Sequence, residues 1–357
     1  AGRVVPVWGE RGVWGPYIGV FLLLAGLSAG GLSAASAGGC CWVKAFKPIA
    51  RRTGLEATVA VMLAATFILP DLGRPERMLN IFLHANLTSP MIWDISIVIV
   101  YMSLSAFYVW LYARADLARR GSRLAFGTGT SERTLAREER AKGAMAWVAL
   151  PAAILLHSIT AWIFGLQISR GFWYSSIMAP MFIASALVSG LGLVILLALV
   201  LRRLGRLQFG DDLVALLGGL LGTFIAVEAF LVLAEYLTAF YPGAPEGDAV
   251  TRMLVGPYAP LFWFEIGVGL LLPFAILVVR RLRTNPRWVA AAAGIGIVGI
   301  FVHRPDLVLN GLPSATIQLP PRPPAWPHHG RHAALATRQP SCRTYLARPS
   351  VAWGPRP

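Results

Sequence analysis

Residues 71–94 of this 357-residue chain, DLGRPERMLNIFLHANLTSPMIWD, place many polar side chains between two strongly apolar runs. Each run is about long enough to cross a membrane, and polar groups this close to hydrocarbon are costly unless they serve a site. The side chains that could form hydrogen bonds to the polar head of a ligand are Asp71, Arg74, His84, Asn86 and Trp93. We therefore predict that this connection forms one wall of a binding site.

A purely structural role for the same connection remains open. Asp71 beside Arg74 and Arg77 is also typical of a salt-bridged loop, and Asn86 could cap the helix that follows it. His84 fits a structural role less well, because imidazole titrates near neutrality and can donate a hydrogen bond to a carbonyl group.

A single histidine, His157, lies well inside an apolar run, roughly 13 Å from the end of that run at about 1.5 Å per residue. Thr160 and Ala161 share its helical face. A lone histidine of this kind is most often a buried, hydrogen-bonded residue. Its polar and aromatic neighbours favour instead a recess below residues 71–94.

Four acids are also predicted within apolar runs, namely Asp94, Glu228, Glu235 and Glu265. Glu228 and Glu235 are seven residues apart and share a helical face. Acids inside membranes usually mark proton relays or ion pathways. We predict that the four acids form a proton path, and a satisfied interhelical hydrogen bond is the simpler alternative for each.

Metal chemistry within this chain is not supported by the sequence. A b-type haem typically needs two histidines at similar depth, and His157 has no obvious mate. Cys40, Cys41 and Cys342 match no metal-binding spacing. We therefore predict no haem, no iron–sulfur cluster and no other metal site in this chain.

The composition predicts the elements that must position these groups. The chain is 56% hydrophobic and only 14% charged, whereas a soluble domain is about 25% charged. Its apolar residues come in blocks, which is typical of an all-α integral membrane protein. We predict eight transmembrane helices, at about 17–41, 55–72, 91–113, 144–166, 176–201, 213–240, 258–280 and 288–303.

The basic residues predict the orientation of these helices. The net charge is +15, but 19 Lys and Arg residues fall in the loops after spans one, three, five and seven, against four in the even loops. The positive-inside rule places the odd loops in the cytoplasm. We expect a multi-pass protein of the bacterial inner membrane with its N-terminus and residues 71–94 on the periplasmic side, and no nucleic-acid partner.

The chain organisation that follows has two four-helix bundles. Two spans begin alike, with Pro90, Trp93 and Asp94 in one and Pro260, Trp263 and Glu265 in the other, which indicates a parallel repeat or simply common features of membrane helix ends. The predicted segments are an interfacial stretch at 1–16, a first bundle with the ligand site at 17–166, a second bundle at 167–303 and an irregular Pro/Arg-rich tail at 304–357.

These groups together suit the reduction of a quinone, which needs two electrons, two protons and hydrogen bonds to its carbonyl groups. Asp71, Arg74, His84 and His157 could serve the head group, while the lipid bilayer holds the tail. The sequence shows no electron carrier, so the electrons must come from a partner.

The motif at 71–94 resembles the signature of the polysulfide reductase membrane-subunit family, also called NrfD-like. Residues 157–192 and the Gly/Ser/Ala-rich first span are similar to the same family. The resemblance implies a haem-free quinone module that binds menaquinone or another quinone. It implies as partners a ferredoxin-like iron–sulfur subunit and a molybdopterin catalytic subunit or a multihaem cytochrome c.

Carried over by position, the resemblance implies a quinone pocket near the outer face, formed by Asp71, Arg74, His84 and His157. It assigns Asp71 and His157 catalytic roles and makes Asp94, Glu228, Glu235 and Glu265 a route for protons. The sequence therefore predicts the quinone-reactive subunit of a respiratory oxidoreductase. A proton- or cation-coupled secondary transporter is the alternative, and a passive membrane anchor is a third, less complete explanation.

Overall fold

The computed structural model describes residues 16–39, 47–71, 78–125, 132–242 and 245–311. Within these ranges the regular elements are helical and there is no β-strand. The helices are α1 (Pro16–Gly39), α2 (Lys47–Asp71), α3 (Asn80–Leu83), α4 (Pro90–Arg119), α5 (Glu132–Gly165), α6 (Met178–Arg203), α7 (Asp211–Phe240), α8 (Pro245–Val255), α9 (Ala259–Phe264), α10 (Leu272–Val278), α11 (Arg280–Arg283) and α12 (Pro286–Gly311). A π-helical segment, Glu265–Leu271, joins α9 to α10.

Among the described residues, eight helical segments are long and apolar enough to cross a membrane. They are α1, α2, α4, α5, α6, α7, the continuous α9–π–α10 segment and α12. This confirms the prediction of an all-α membrane protein with eight spans. The predicted interfacial stretch at 1–16 lies, apart from Pro16, outside the described residues.

The last helix is longer than its hydropathy predicts. It continues to Gly311, so the predicted start of the irregular tail at 304 falls inside a helix. Arg304 and Asp306 look like the end of a span in the sequence, but both are buried, at 1% exposure. Pro305 is tolerated within the helix because neighbouring helices in membrane proteins can satisfy the backbone groups that a proline frees. The tail beyond 311 lies outside the described residues.

The first helix packs against helices from both halves of the chain. It contacts α2 and α5 as well as α6 and α12. It approaches α6 closely, since a Cβ atom added to Gly30 would lie only 2.5 Å from the Gly190 Cα atom. Small residues at such crossings let membrane helices pack closely. The division into two four-helix bundles at 166 and 167 stays a prediction.

The two similar helix starts share their local structure. Pro90 begins α4 and Pro260 lies in the first turn of α9. The Trp93 indole N–H donates to the Leu87 carbonyl at 2.7 Å, and the Trp263 indole N–H donates to a backbone carbonyl in the preceding segment at 3.1 Å.

In both cases the acid that follows the tryptophan points into the protein. Asp94 and Glu265 are each 5% exposed, and each bonds to a side chain on the next span. The repeated arrangement places one buried acid near the start of the third span and one near the start of the seventh.

Candidate functional site

The predicted outer wall is only partly described. Asp71 is the last residue of α2 and its side chain is not described, and Arg74 and Arg77 lie outside the described residues. His84 follows α3 and is exposed. The structure therefore places one of the predicted head-group ligands, His84, at the surface of this connection.

Asn86 and Trp93 make local hydrogen bonds within the same connection. The Asn86 side-chain oxygen accepts from the Thr88 backbone N–H at 3.1 Å and from the Thr88 hydroxyl at 2.7 Å. The Trp93 indole is engaged with the Leu87 carbonyl. Both side chains therefore stabilise the turn that leads into α4. Asn86 does not cap α4, the structural role considered from the sequence, because its oxygen bonds to Thr88 before the helix begins at Pro90.

Asp94 and Thr160 join α4 to α5 inside the protein. The Thr160 hydroxyl donates to Asp94 Oδ1 at 2.5 Å and also lies 2.8 Å from the Leu156 carbonyl oxygen. Asp94 is 5% exposed and Thr160 3% exposed. A carboxyl group that is shielded from water in this way can bind a proton or accept a hydrogen bond from a polar ligand atom.

His157 lies one turn before Thr160 on α5 and is 3% exposed. Its Nδ1 atom is 3.4 Å from the Ala153 carbonyl oxygen, which is a long contact within its own helix. The structure thus joins Thr160 to Asp94 across two helices and places His157 one turn from Thr160 on the same helix. The predicted face shared by His157 and Thr160 is buried as a whole, since Ala161 is also fully buried.

A second polar group lies between α7, the π-helical segment and α12. His303 Nδ1 is 2.7 Å from Glu265 Oε1, and both side chains are almost completely buried. Glu228 is 1% exposed and lines the same small cavity as Glu265 and His303. The cavity leaves about 10 Å³ for the centre of a water molecule, close to the ~10–15 Å³ that one buried water needs.

Each of the three cavity side chains carries one atom without a hydrogen-bond partner among the described residues. These atoms are Glu228 Oε2, Glu265 Oε2 and His303 Nε2. Unpaired buried polar atoms cost free energy, so they usually mark a site for water, a ligand or a proton. A π-helical turn is likewise frequent at functional sites, and here it begins at Glu265.

Arg304 extends this polar group towards α6. Its Nη2 atom donates to the Ser185 hydroxyl at 2.5 Å, and its guanidinium carbon lies 4.2 Å from the centroid of the Phe182 ring. Its Nε and Nη1 atoms have no hydrogen-bond partner among the described residues. Arg304 also interacts electrostatically with His157 and with Glu228, so its charge acts on both polar groups.

The four acids of the predicted proton path fall into three places. Glu228 and Glu265 share the cavity, and Asp94 pairs with Thr160. Glu235 accepts a hydrogen bond from the Ser175 hydroxyl at 2.6 Å, in the connection between α5 and α6. Among the described residues, these hydrogen bonds do not join the four acids into one continuous chain.

Sequence reasoning missed most of the partners of these acids. His303 was placed at the end of the last span and Arg304 in the tail. The remaining missed members of the polar groups are Ser175, Ser185, Asp306 and Asn310. The available signal was the spacing of His303, Asp306 and Asn310, which share a helical face if the helix continues.

Within the part of the chain that the structure describes, no group of three or more His, Cys, Asp or Glu side chains is arranged to hold a metal ion. Cys40, Cys41 and Cys342 lie outside that part. Fold and site together define a multi-pass α-helical membrane protein with ionisable side chains buried between its helices.

The polysulphide reductase, NrfD, family matches residues 5–314 of the chain. The chain therefore belongs to the NrfD family, as the motif at 71–94 predicts. Family membership and the eight apolar helices make it a multi-pass membrane protein.

Three relatives from different organisms cover most of the chain. A candidate membrane subunit of the dimethyl sulfoxide reductase of Halobacterium salinarum is 36% identical over 312 residues, which is 86% of this chain and 71% of the relative. A subunit of the selenate reductase of Mesobacillus selenatarsenatis is 28% identical over 83% of this chain and 73% of its own. The Hdr-like menaquinol oxidoreductase integral membrane subunit of Archaeoglobus fulgidus is 23% identical over 85% and 71%.

Proposed function

We propose that this chain is the quinone-reactive membrane subunit of a multi-subunit respiratory oxidoreductase. It exchanges electrons between menaquinone, or another quinone, and an extrinsic iron–sulfur subunit. The names of the relatives support this proposal, because two are subunits of reductases and one is the integral membrane subunit of a menaquinol oxidoreductase.

The observation that carries the proposal is the buried group of His157, Thr160 and Asp94. Quinone reduction, Q + 2 e⁻ + 2 H⁺ → QH₂, requires a hydrogen-bond donor for each carbonyl and a source of protons. His157 can donate to a carbonyl, and Asp94 can pass a proton through the Thr160 hydroxyl. Asp71, Arg74, His84, Asn86 and Trp93 are the proposed outer wall of this pocket, with Asp71 sharing the catalytic role of His157.

The electrons pass between the quinone and partner subunits in this proposal. The adjacent partner is a ferredoxin-like iron–sulfur protein, and beyond it lies a molybdopterin catalytic subunit or a multihaem cytochrome c. In this proposal the partner subunits lie on the outer side of the bacterial inner membrane. The distribution of basic residues favours the same side for residues 71–94. The quinone is bound as a substrate, and this chain supplies the pocket and the protons.

The buried group of Glu228, Glu265 and His303 supports coupling of this reaction to proton movement. Glu235 and Asp94 are the further members of the proposed route. The same group favours the second candidate, a proton- or cation-coupled secondary transporter, because acids and a histidine around a water-sized cavity are what such a transporter uses.

Purification of the native complex in a mild detergent tests the proposal. We expect iron, acid-labile sulfide and an extractable quinone to copurify with this chain in fixed ratio. A pure chain that carries neither iron nor quinone, yet accumulates a cation or takes up protons alone in vesicles, would contradict the proposal and favour the transporter.

A further inference from the structure

We propose that the small cavity between α7, the π-helical segment and α12 binds a single Na⁺ ion, with Glu228 and Glu265 as its charged ligands. The inference goes beyond the proposed function, because it concerns the binding of an ion and does not depend on the quinone reaction. A carboxyl group that accepts a proton can also accept Na⁺, so the two ions compete for the same oxygen atoms. Na⁺ at this site would be an exception to the sequence-based prediction of no metal site.

Two carboxyl groups from different helices line the cavity. Glu228 comes from α7 and Glu265 from the start of the π-helical segment, and they are 1% and 5% exposed. In each side chain the Oε2 atom has no hydrogen-bond partner among the described residues. A carboxylate oxygen that is removed from water and left unpaired is costly, and a bound cation removes this cost.

Acidic side chains outnumber basic ones around the cavity. Three carboxyl groups and two basic side chains interact electrostatically there, namely Glu228, Glu265, Asp306, His303 and Arg304. The excess of negative charge is two when His303 is neutral and one when it is protonated. A single Na⁺ ion reduces either excess without reversing it.

The π-helical segment provides a backbone oxygen atom. The Leu272 backbone N–H donates to the Gly267 carbonyl, five residues before it, and Pro273 has no N–H. The Gly269 carbonyl therefore lacks the donor that an α-helix would supply four residues later. Its oxygen would lie 2.8 Å from a Cβ atom added to Gly299, and both glycines line the cavity. Membrane transporters bind Na⁺ at backbone carbonyls released in this way by irregular helices.

His303 holds one of the ligands in place. Its Nδ1 atom lies 2.7 Å from Glu265 Oε1, which leaves Glu265 Oε2 for the ion. Carboxylates that bind metals are commonly supported by a hydrogen bond of this kind. When the Nδ1–H group donates to Glu265, the Nε2 atom has a lone pair and no N–H, and this arrangement suits a cation and not an anion.

The size of the cavity selects a small ion. It has space for one water-sized particle. The backbones of the π-helical segment and α12 also cross tightly, since a Cβ atom added to Gly269 would lie 2.5 Å from the Gly299 Cα atom. Na⁺ is smaller than a water molecule, whereas K⁺ is about as large as one and takes more ligands. We therefore expect Na⁺ to bind and K⁺ to be excluded.

Hydrogen bonding between helices explains other buried acids but not Glu228. Asp94 accepts a hydrogen bond from Thr160, and Glu235 accepts one from Ser175. Glu228, in contrast, keeps one oxygen beside the cavity without a partner among the described residues. A single water molecule is the simpler occupant, but it leaves the excess of negative charge in place, which Na⁺ reduces.

The test measures Na⁺ binding by the purified complex in a mild detergent, in a buffer whose other monovalent cation is choline. Radioactive sodium retained by the complex gives the number of bound ions and their affinity. The unfolding temperature is followed in parallel while NaCl or KCl replaces choline chloride at constant ionic strength. An ion that binds only the folded protein raises this temperature.

Two variants change the cavity in different ways. Glu228→Gln removes one charged ligand, and Val232→Leu fills the cavity while both carboxyl groups remain. Glu139→Gln is the matched control, because Glu139 is exposed and paired with Lys142.

We expect the unmodified complex and the Glu139→Gln complex to bind one Na⁺ more per chain than either cavity variant. Glu228→Gln should weaken this binding roughly 100-fold or more, since loss of a group that only supports a metal ligand already costs about 10–100-fold. Na⁺ should raise the unfolding temperature of the unmodified complex, and K⁺ should not. The rise should be lost in both cavity variants.

Three results would overturn the inference. Absence of Na⁺ binding by the unmodified complex would leave the cavity to a water molecule or a protonated carboxyl group. Unchanged Na⁺ binding in both cavity variants would place the ion elsewhere. An equal rise of the unfolding temperature with Na⁺ and K⁺ would indicate a general effect of salt. None of these results affects the proposed function, which copurification of iron and quinone tests separately.

Discussion

The Thr160 hydroxyl on α5 lies 2.5 Å from the Asp94 carboxylate on α4 and 2.8 Å from the Leu156 carbonyl. A hydroxyl has one proton, so Thr160 can donate to only one of these oxygens at a time. When Asp94 is ionised it receives that proton in a hydrogen bond. When Asp94 is protonated it donates to Thr160, which can then turn towards Leu156. The pair therefore changes its hydrogen bonds with each proton that it handles.

Replacement of Thr160 tests the role of this pair. Thr160→Val keeps the shape of the side chain but removes the hydroxyl, and we expect quinone turnover to fall roughly tenfold or more because proton transfer to the head group loses one member. Turnover is measured as menaquinol oxidation by the purified complex. Thr223→Val is the matched control, since the Thr223 hydroxyl is exposed and, within the described part of the chain, bonds to the Gly219 carbonyl of its own helix. Equal rates in both variants would remove Thr160 from the mechanism.

The Glu265–His303 pair should contribute strongly to stability. Removal of one partner of a buried pair leaves the other polar group without its hydrogen bond and typically costs about 3–5 kcal/mol. We expect His303→Leu to lower the thermal unfolding temperature of the detergent-solubilised complex, and Glu265→Gln to lower it as well.

The double variant Glu265→Gln/His303→Leu completes a cycle for this pair. Its loss of unfolding free energy should be smaller than the sum of the losses in the two single variants, because no unpaired carboxylate remains. Additive losses would show that the 2.7 Å contact contributes no coupling energy.

The crossing of α1 and α6 should tolerate no added side chain. A Cβ atom at Gly30 would approach the Gly190 Cα atom to 2.5 Å and the Ala186 carbonyl oxygen to 2.7 Å, and both are backbone atoms that cannot turn away. Gly30→Ala should therefore cost roughly 1–3 kcal/mol by overpacking and reduce assembly of the complex. At Gly294 on α12 an added Cβ atom meets nothing within 4 Å, so Gly294→Ala should leave assembly unchanged. The yield of intact complex measures assembly for both variants.

Much of the fold was predictable because hydrocarbon requires continuous apolar helices. Blocks of about 20 apolar residues give the number of spans directly. The end of α12 was not predictable in this way, because Arg304 followed by Pro305 resembles a helix terminus. Arg304 is accommodated inside the protein only because Ser185, Phe182 and nearby acids from other helices surround it. Such contacts depend on which helices pack together, and hydropathy does not contain that information.

The site was predictable in its residue types more than in its partners. Asp94, His157 and Glu265 were identified because ionisable groups inside apolar runs are costly and usually have a function. Their pairing with Thr160 and His303 required the arrangement of the helices. Asn86 and Trp93 show the converse case, since their hydrogen bonds to Thr88 and Leu87 are local and stabilise the turn.

The central claim is that this chain binds and converts a quinone at His157, and menaquinol oxidation by the His157→Ala complex tests it most directly. Ser158→Ala is the control on the adjacent residue, whose hydroxyl bonds to the Ile154 carbonyl of its own helix. We predict that the His157→Ala complex assembles with its partner subunits but oxidises menaquinol roughly 100-fold more slowly, while the Ser158→Ala complex keeps its rate. An assembled His157→Ala complex that oxidises menaquinol at the unmodified rate would contradict this account.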